Sequence, residues 1–147
     1  MTETIYFYSQ VEAWAAFSNF APFGIEIDGK WWRTVEHYYQ AQKFTDEAYQ
    51  ARIRKTASPK DAKALGLTRA VLLRSDWKTI KDEVMLHAVR VKFATHAECR
   101  ALLLSTGNAR LAEAAPNDYY WGVGADGTGQ NRLGLILEQV RTELAAG

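Results

Sequence analysis

The sequence predicts an α+β fold, a compact single domain that is mostly helical with a small β-sheet or hairpin near the N-terminus. Strand-forming residues are concentrated between residues 4 and 8, and residues 24–32 alternate around an Asp-Gly pair. From Thr34 onward, apolar residues recur mainly at helical spacing. A chain of 147 residues suits one domain covering residues 1–147, without a linker.

The predicted β-structure begins with TIYFY at residues 4–8, since β-branched and aromatic residues favour strands. The Asp28-Gly29 pair then predicts a tight hairpin turn, because both central positions of such a turn take a positive φ.

Helices are predicted for most of the remaining chain. Thr34 is a suitable N-cap for a helix that extends to Phe44, and Ser58 followed by Pro59 predicts a second helix start. Further helices are predicted at residues 76–95, 98–105 and 132–145.

The charge balance restricts the partners of the protein. With 18 Lys and Arg residues against 17 acidic ones, the net charge of +1 creates no long-range attraction for a polyanion. Extended tracking along nucleic acid is therefore disfavoured. The basic stretch between Arg52 and Arg69 allows a local cationic pocket, although a solvated helix face is the simpler interpretation.

Cysteine and histidine usage predicts neither a disulfide framework nor a metal site. A single cysteine, Cys99, excludes an internal disulfide, favours a reducing compartment and is expected to be a packed thiol. His37, His87 and His96 lack metal-ligand spacing, so we expect no metal ion and no other cofactor. Because the chain shows neither a membrane-spanning run nor a signal-peptide layout, we expect a cytoplasmic protein without membrane association.

Four polar residues form a stripe at helical spacing. Glu36, Gln40, Lys43 and Glu47 follow one another at intervals of four, three and four positions, which places them on one face of a helix. The stripe is either a solvated face or part of a functional site. Nearby aromatic side chains offer walls for a flat base or a ribose, although most of them are expected in the core. They are Trp31, Trp32, Tyr38, Tyr39 and Phe44.

A glycine-rich segment precedes the last predicted helix. Its GVGADG sequence at residues 122–127 matches the GxGxxG consensus of dinucleotide-binding sites. However, no strand-like run leads into it, and the chain ends too soon for the acidic residue that binds the ribose in such sites. We therefore reject a Rossmann site. The glycines and the helix capped near Asn131 still predict accessible backbone N–H groups that suit a diphosphate.

Five segments together resemble the NADAR superfamily, which includes YbiA-like proteins, in an order and spacing that match over nearly the whole chain. They are FSNF at 17–20, TVEHYYQAQKF at 34–44, WKTIKDEVM at 77–85, KF at 92–93, and the stretch from DYYWG at 118–122 to NRLG at 131–134. Arg33 and Val35 depart from the family pattern, in which Pro and a small residue are common at these positions.

The resemblance implies a NADAR/YbiA-like fold and an N-glycosidase that hydrolyses the bond between ribose C1 and a base nitrogen. Two substrate classes are associated with the family: ribosylamino-pyrimidine intermediates of riboflavin synthesis, and ADP-ribosylated guanine in nucleotides or nucleic acid. The implied ligand is ADP-ribose or a ribosyl phosphate, with ADP-ribosylated DNA or RNA as a polymeric substrate. We expect a monomer or a weak dimer.

The predicted catalytic residues are Lys43, Glu36 and Asp118. Cleavage develops positive charge on the sugar and negative charge on the base, so the carboxylates of Glu36 and Asp118 could assist attack by water. Alternatively, and in our preferred route, Lys43 attacks C1 of the ring-opened ribose as a neutral amine and forms a Schiff base. Glu36 then transfers protons or orients Lys43, and Asp118 holds a ribose hydroxyl or activates water.

The resemblance also implies a set of substrate-binding residues: asparagines that bind sugar or phosphate, and aromatic side chains that stack on the ligand. The full set is Ser18, Asn19, Tyr39, Gln40, Trp121, Gly122 and Asn131. The main alternative to an enzyme is a non-catalytic ADP-ribose or NAD-binding module with the same pocket. Direct binding of RNA or DNA is a third interpretation, disfavoured by the neutral charge balance.

Overall fold

The computed structural model describes residues 3–9 and 12–147, and these residues form an α+β fold as predicted. The strands are β1 (Thr4–Phe7), β2 (Ile25–Ile27), β3 (Lys30–Trp32) and β4 (Arg110–Glu113). The α-helices are α1 (Val35–Gln42), α2 (Glu47–Arg54), α3 (Pro59–Gly66), α4 (Trp77–Thr95), α5 (Ala97–Ser105) and α6 (Arg132–Ala146), and a 3-10 helix covers Glu12–Phe17.

The chain divides into two units, each with its own internal contacts. One is formed by the described residues up to Ala21 together with Phe93–Gly147, and the other by Pro22–Lys92, so the second boundary falls within α4. The expectation of one domain over residues 1–147 stays a prediction.

The first unit is built on a two-stranded parallel sheet. β1 pairs with β4 in a register that joins Thr4 to Arg110 and Phe7 to Glu113. The Phe17 ring lies 5.9 Å from Phe7 and 6.2 Å from Phe93 between centroids, and these three rings are almost fully buried. Helix α6 packs on β4. The sequence did not predict β4, because RLAE is short and shows no clear alternation.

The second unit contains the predicted hairpin, helices α1 to α3 and the part of α4 up to Lys92. Strands β2 and β3 pair antiparallel across Asp28 and Gly29, whose φ angles of 54° and 75° are those of the expected tight turn. Helix α1 follows directly and packs on α2 and α3. Thr34 caps α1 by accepting a hydrogen bond from the His37 N–H at 3.1 Å, as predicted.

The polar stripe ends earlier than the sequence predicts. Helix α1 stops at Gln42 with Lys43 as its C-cap, and Asp46 starts α2 by accepting from the Tyr49 N–H at 3.0 Å. The placement of Glu47 on the face of α1 is therefore wrong. A competing N-cap at Asp46 explains the early stop, since an aspartate there satisfies N–H groups of a new helix.

Three further predictions concern the packing of Cys99, membrane-spanning helices and the cellular location. Cys99 is a buried thiol in α5 that forms no disulfide, which confirms the expected packed cysteine. Within residues 3–9 and 12–147, no helix combines the length and apolar character needed to cross a membrane. The cytoplasmic location stays a prediction.

Candidate functional site

Helix α1 carries the first group of predicted site residues, which we call the α1 cluster: Glu36, Tyr39, Gln40 and Lys43. Glu36 is only 7% exposed and Gln40 3%, so the solvated-face interpretation fails for both. The Gln40 Nε2 donates a hydrogen bond to Glu36 Oε2 at 2.6 Å. The buried carboxylate and its amide donor lie one helix turn apart, so the orientation of the carboxylate is fixed before any ligand binds.

Lys43 lies at the end of α1, with its ammonium half-buried. Its Nζ donates to the Gly66 carbonyl at 3.3 Å and lies 5.8 Å from the centroid of the Tyr39 ring. Burial lowers the pKa of Lys43, the Glu36 carboxylate opposes this shift, and the charges of Lys63 and Lys81 add to it. The neutral amine is therefore more populated than in a solvated lysine.

The Tyr39 ring forms a wall beside Lys43. It is 7% exposed and packs against Trp77 with ring centroids 5.1 Å apart and planes inclined by 57°. This packing fixes the orientation of the ring on one side of the amine. Stacking of Tyr39 on a ligand stays a prediction.

His37, on the same helix, is buried and structural. Its Nε2 donates to the Thr56 carbonyl at 3.1 Å, and its Nδ1 lies 2.8 Å from the Thr34 hydroxyl. Burial is the main cause that lowers the pKa of His37, and the positive charge of Arg33 acts in the same direction. The neutral imidazole thus connects α1 to the segment before α3.

The second group of predicted residues lies in the other unit, in the loop of residues 114–131 between β4 and α6, which we call the glycine-rich loop. Asp118 is half-buried, and its Oδ1 accepts hydrogen bonds from the N–H groups of Tyr120 at 3.0 Å and Trp121 at 2.8 Å. This carboxylate shapes the loop. The Trp121 ring meets the Tyr120 ring edge to face, with centroids 4.9 Å apart.

Asn131 joins the glycine-rich loop to β4. It has a φ of 54° and is 2% exposed. Its Oδ1 accepts from the Glu113 N–H at 3.0 Å, and its Nδ2 donates to the Leu111 carbonyl at 2.8 Å. Both ends of the amide therefore hold the protein backbone, and binding of sugar or phosphate by Asn131 stays a prediction.

The expected diphosphate surface at the start of α6 is not open as predicted. The N–H groups of Arg132 and Leu133 donate to the carbonyls of Tyr120 and Trp121, each at 3.0 Å. These first-turn donors are therefore already used. Gly122 is needed for the close packing of this loop, since a Cβ there would lie 2.9 Å from the Glu113 carbonyl oxygen.

Ser18 and Asn19 follow the 3-10 helix in the first unit and are 4% and 8% exposed. The Ser18 hydroxyl accepts from the Phe20 N–H at 3.1 Å, which closes a local turn. Their predicted contact with substrate stays a prediction.

The basic stretch is largely a solvated surface. Arg52, Lys55, Lys60, Lys63 and Arg69 are all exposed, which favours the simpler interpretation over a cationic pocket. In the parts of the chain that the structure describes, no three His, Cys, Asp or Glu residues lie close enough together to hold a metal ion.

Two features of the second unit were not predicted from the sequence, the contacts of Gly66 and the burial of Lys92. Gly66 contacts both Gln40 and Lys43, a tertiary proximity that sequence spacing does not reveal. Lys92 is 1% exposed, and its Nζ lies 5.8 Å from the centroid of the Phe23 ring. Its position in the buried row Met85, Ala88 and Val89 of α4 was a usable signal for its burial.

Comparisons with known proteins agree with this description. A sequence model of the NADAR domain matches residues 6–145. The chain is 50% identical over 146 residues to N-glycosidase YbiA of Escherichia coli, covering 99% of this chain and 91% of that protein. It is 40% identical over 144 residues to a riboflavin biosynthesis protein of Vibrio vulnificus, covering 98% of this chain and 39% of that protein. The NMR structure of Escherichia coli YbiA matches with a TM-score of 0.91 at 50% identity, over 99% of this chain and 88% of that one.

Proposed function

The chain belongs to the NADAR family and is an N-glycosidase, and we propose that it cleaves ribose C1 from the amino nitrogen of a ribosylamino-pyrimidine through a Schiff base on Lys43. The name of the Vibrio vulnificus relative, a riboflavin biosynthesis protein, supports this substrate class over ADP-ribosylated guanine.

The observation that carries the proposed mechanism is the environment of Lys43. An amine can attack carbon only when it is unprotonated, and burial lowers the pKa of Lys43 in that direction. Buried Glu36, two turns earlier on α1, supplies a carboxylate close enough to influence this pKa. A nucleophile and a proton carrier therefore occur on one short helix.

The proposed reaction has two balanced steps. In the ring-opened substrate, C1 is doubly bonded to the base nitrogen. The neutral Lys43 amine adds to C1, which leaves C1 singly bonded to both nitrogens. Two protons pass from the lysine nitrogen to the base nitrogen, one on addition and one as the bond from C1 to the base nitrogen breaks, so the base leaves as an amine and the lysine imine remains. Water then adds to the lysine imine, which releases the ribose aldehyde and regenerates the Lys43 amine.

Glu36 is assigned the proton transfers between Lys43 and the leaving nitrogen. Its carboxylate is held by Gln40 at 2.6 Å and buried, which fixes its direction before substrate binds. Asp118 is given no step in the proposed reaction, and its Oδ1 already accepts from two backbone N–H groups of the glycine-rich loop.

The test is a measurement of base release from a ribosylamino-pyrimidine phosphate and, separately, from an ADP-ribosylated guanine nucleotide. We expect faster release from the pyrimidine, and a fall in kcat of about 100- to 10,000-fold for Glu36→Gln. Lys60→Ala, an exposed α3 residue, is the matched control and should keep the wild-type rate.

Preference for the guanine substrate would contradict the proposed substrate class. Release from neither substrate, together with tight binding of ADP-ribose, would instead support a binding module. A Lys43→Ala variant that turns over at the wild-type rate would contradict the covalent route.

A further inference from the structure

The last residue of α3 lies against the α1 cluster. A Cβ built on Gly66 would lie 1.9 Å from Gln40 Oε1 and 2.7 Å from Gln40 Cδ. The carboxamide of Gln40 thus occupies the space that any side chain at position 66 would need. Gly66 and Gln40 are both buried, so this contact is not open to solvent.

The backbone of Gly66 does not explain the glycine. Gly66 is helical and is absent from the glycines of positive φ in the described chain, which are Gly29, Gly107, Gly124 and Gly127. Alanine is more favourable than glycine within a helix by about 1 kcal/mol. The space taken by Gln40 is therefore the feature that requires glycine here.

The two ends of the Gln40 carboxamide have different surroundings. Nε2 donates to Glu36 Oε2 at 2.6 Å, whereas Oε1 is buried against Gly66 without a hydrogen-bond partner among the described residues. The opposite orientation would direct Oε1 at the Glu36 carboxylate, and two acceptors repel each other. This repulsion therefore keeps the donor directed at Glu36, and the space beside Gly66 allows the carboxamide to lie where the donor reaches the carboxylate.

We propose that Gly66 is a positioning residue, which sets the orientation of the Glu36 carboxylate by leaving space for the Gln40 carboxamide. This inference rests on the proposed function, because it gives Glu36 the proton transfers. The Gly66 carbonyl also accepts from Lys43, and a Gly66→Ala substitution retains that carbonyl. The substitution therefore tests the Gln40 contact.

The experiment compares Gly66→Ala with the wild-type enzyme. The clash involves the end of a flexible side chain, so we expect the variant to fold, with a Tm somewhat below the wild-type value because the buried hydrogen bond to Glu36 is lost. The displaced amide no longer holds Glu36, and we expect kcat to fall by about 10-fold or more with little change in KM. The Glu36 carboxylate becomes easier to protonate, so the acidic limb of the rate profile moves to higher pH.

A double-mutant cycle with Gln40→Ala separates positioning from general damage. If Gly66 acts through Gln40, then Gly66→Ala has no further effect on kcat in the Gln40→Ala background. Additive losses would overturn the inference, as would a Gly66→Ala variant with the wild-type kcat and pH profile.

Two controls separate this inference from the proposed function. If Glu36→Gln keeps the wild-type rate, the proposed function fails and the inference fails with it. If Glu36→Gln is slow while Gly66→Ala is unaffected, only the inference fails. The titration of the Glu36 carboxyl carbon, followed by NMR without substrate, should move to higher pH in Gly66→Ala, and an unchanged titration would contradict the inference independently of turnover.

Discussion

At the scale of single residues, the chemistry depends on how much of Lys43 is unprotonated at neutral pH. Burial lowers its pKa, and the two lysines Lys63 and Lys81 act in the same direction as burial, whereas Glu36 opposes them. The sequence placed Glu36, Gln40 and Lys43 correctly on one face of α1. It could not indicate that Glu36 and Gln40 are buried, because a polar stripe contains the same residue types whether it faces water or protein.

The effect of Lys63 can be tested by removing its charge. Lys63→Gln should raise the pKa of Lys43, so less neutral amine is present at pH 7. Because Lys63 is exposed, we expect kcat/KM at pH 7 to fall by only about two- to threefold, with recovery to the wild-type value at high pH. Lys60→Gln, on the same helix, is the control. A loss of equal size at every pH would contradict this explanation.

At the scale of elements, the caps and turns were predicted well because their signals are local. Thr34 and Ser58 cap α1 and α3, and Asp28-Gly29 forms the hairpin turn. The predictions failed where a distant partner decides the structure. Strand β4 depends on pairing with β1, and the donors at the start of α6 are used by carbonyls of the glycine-rich loop.

The N-cap of α1 offers a stability test. Thr34→Ala removes the hydrogen bond to the His37 N–H, so we expect a loss of about 1–2 kcal/mol in the free energy of unfolding, measured by urea denaturation. Thr142→Ala, at an exposed position of α6, should change it by less than about 0.5 kcal/mol. Equal effects of the two substitutions would show that the cap contributes little.

The connection between α1 and the segment before α3 should depend on pH through His37. Its pKa in the folded protein is lowered by burial, so the unfolded chain binds the proton more readily. The contribution of His37 to the free energy of unfolding is therefore fully present above about pH 6.5, and it decreases as the pH falls below that value. We expect a lower urea midpoint at pH 5.5 than at pH 7.5, with a smaller difference in His37→Asn. An unchanged difference in that variant would assign the effect to other groups.

At the scale of the whole molecule, the family and the α+β fold could be predicted because the five matching segments occur in the family's order between residues 17 and 134. The site could be predicted only in part. Asp118 was predicted as a catalytic residue and Asn131 as a substrate-binding residue, and both roles stay predictions. In the structure their side chains hold backbone groups of the glycine-rich loop and of β4. Conversely, the role of Gly66 arises from its contact with Gln40 on another helix, which no local pattern encodes.

The central claim is that Lys43 forms the covalent intermediate, and borohydride trapping followed by peptide mass spectrometry tests it most directly. The protein is incubated with the ribosylamino-pyrimidine phosphate and reduced, with heat-denatured protein as the control for non-specific glycation. We predict a ribosyl phosphate adduct on the peptide that contains Lys43, absent from the control and from Lys43→Ala. Release of the base without an adduct on Lys43, or an adduct on the buried Lys92 instead, would contradict the claim.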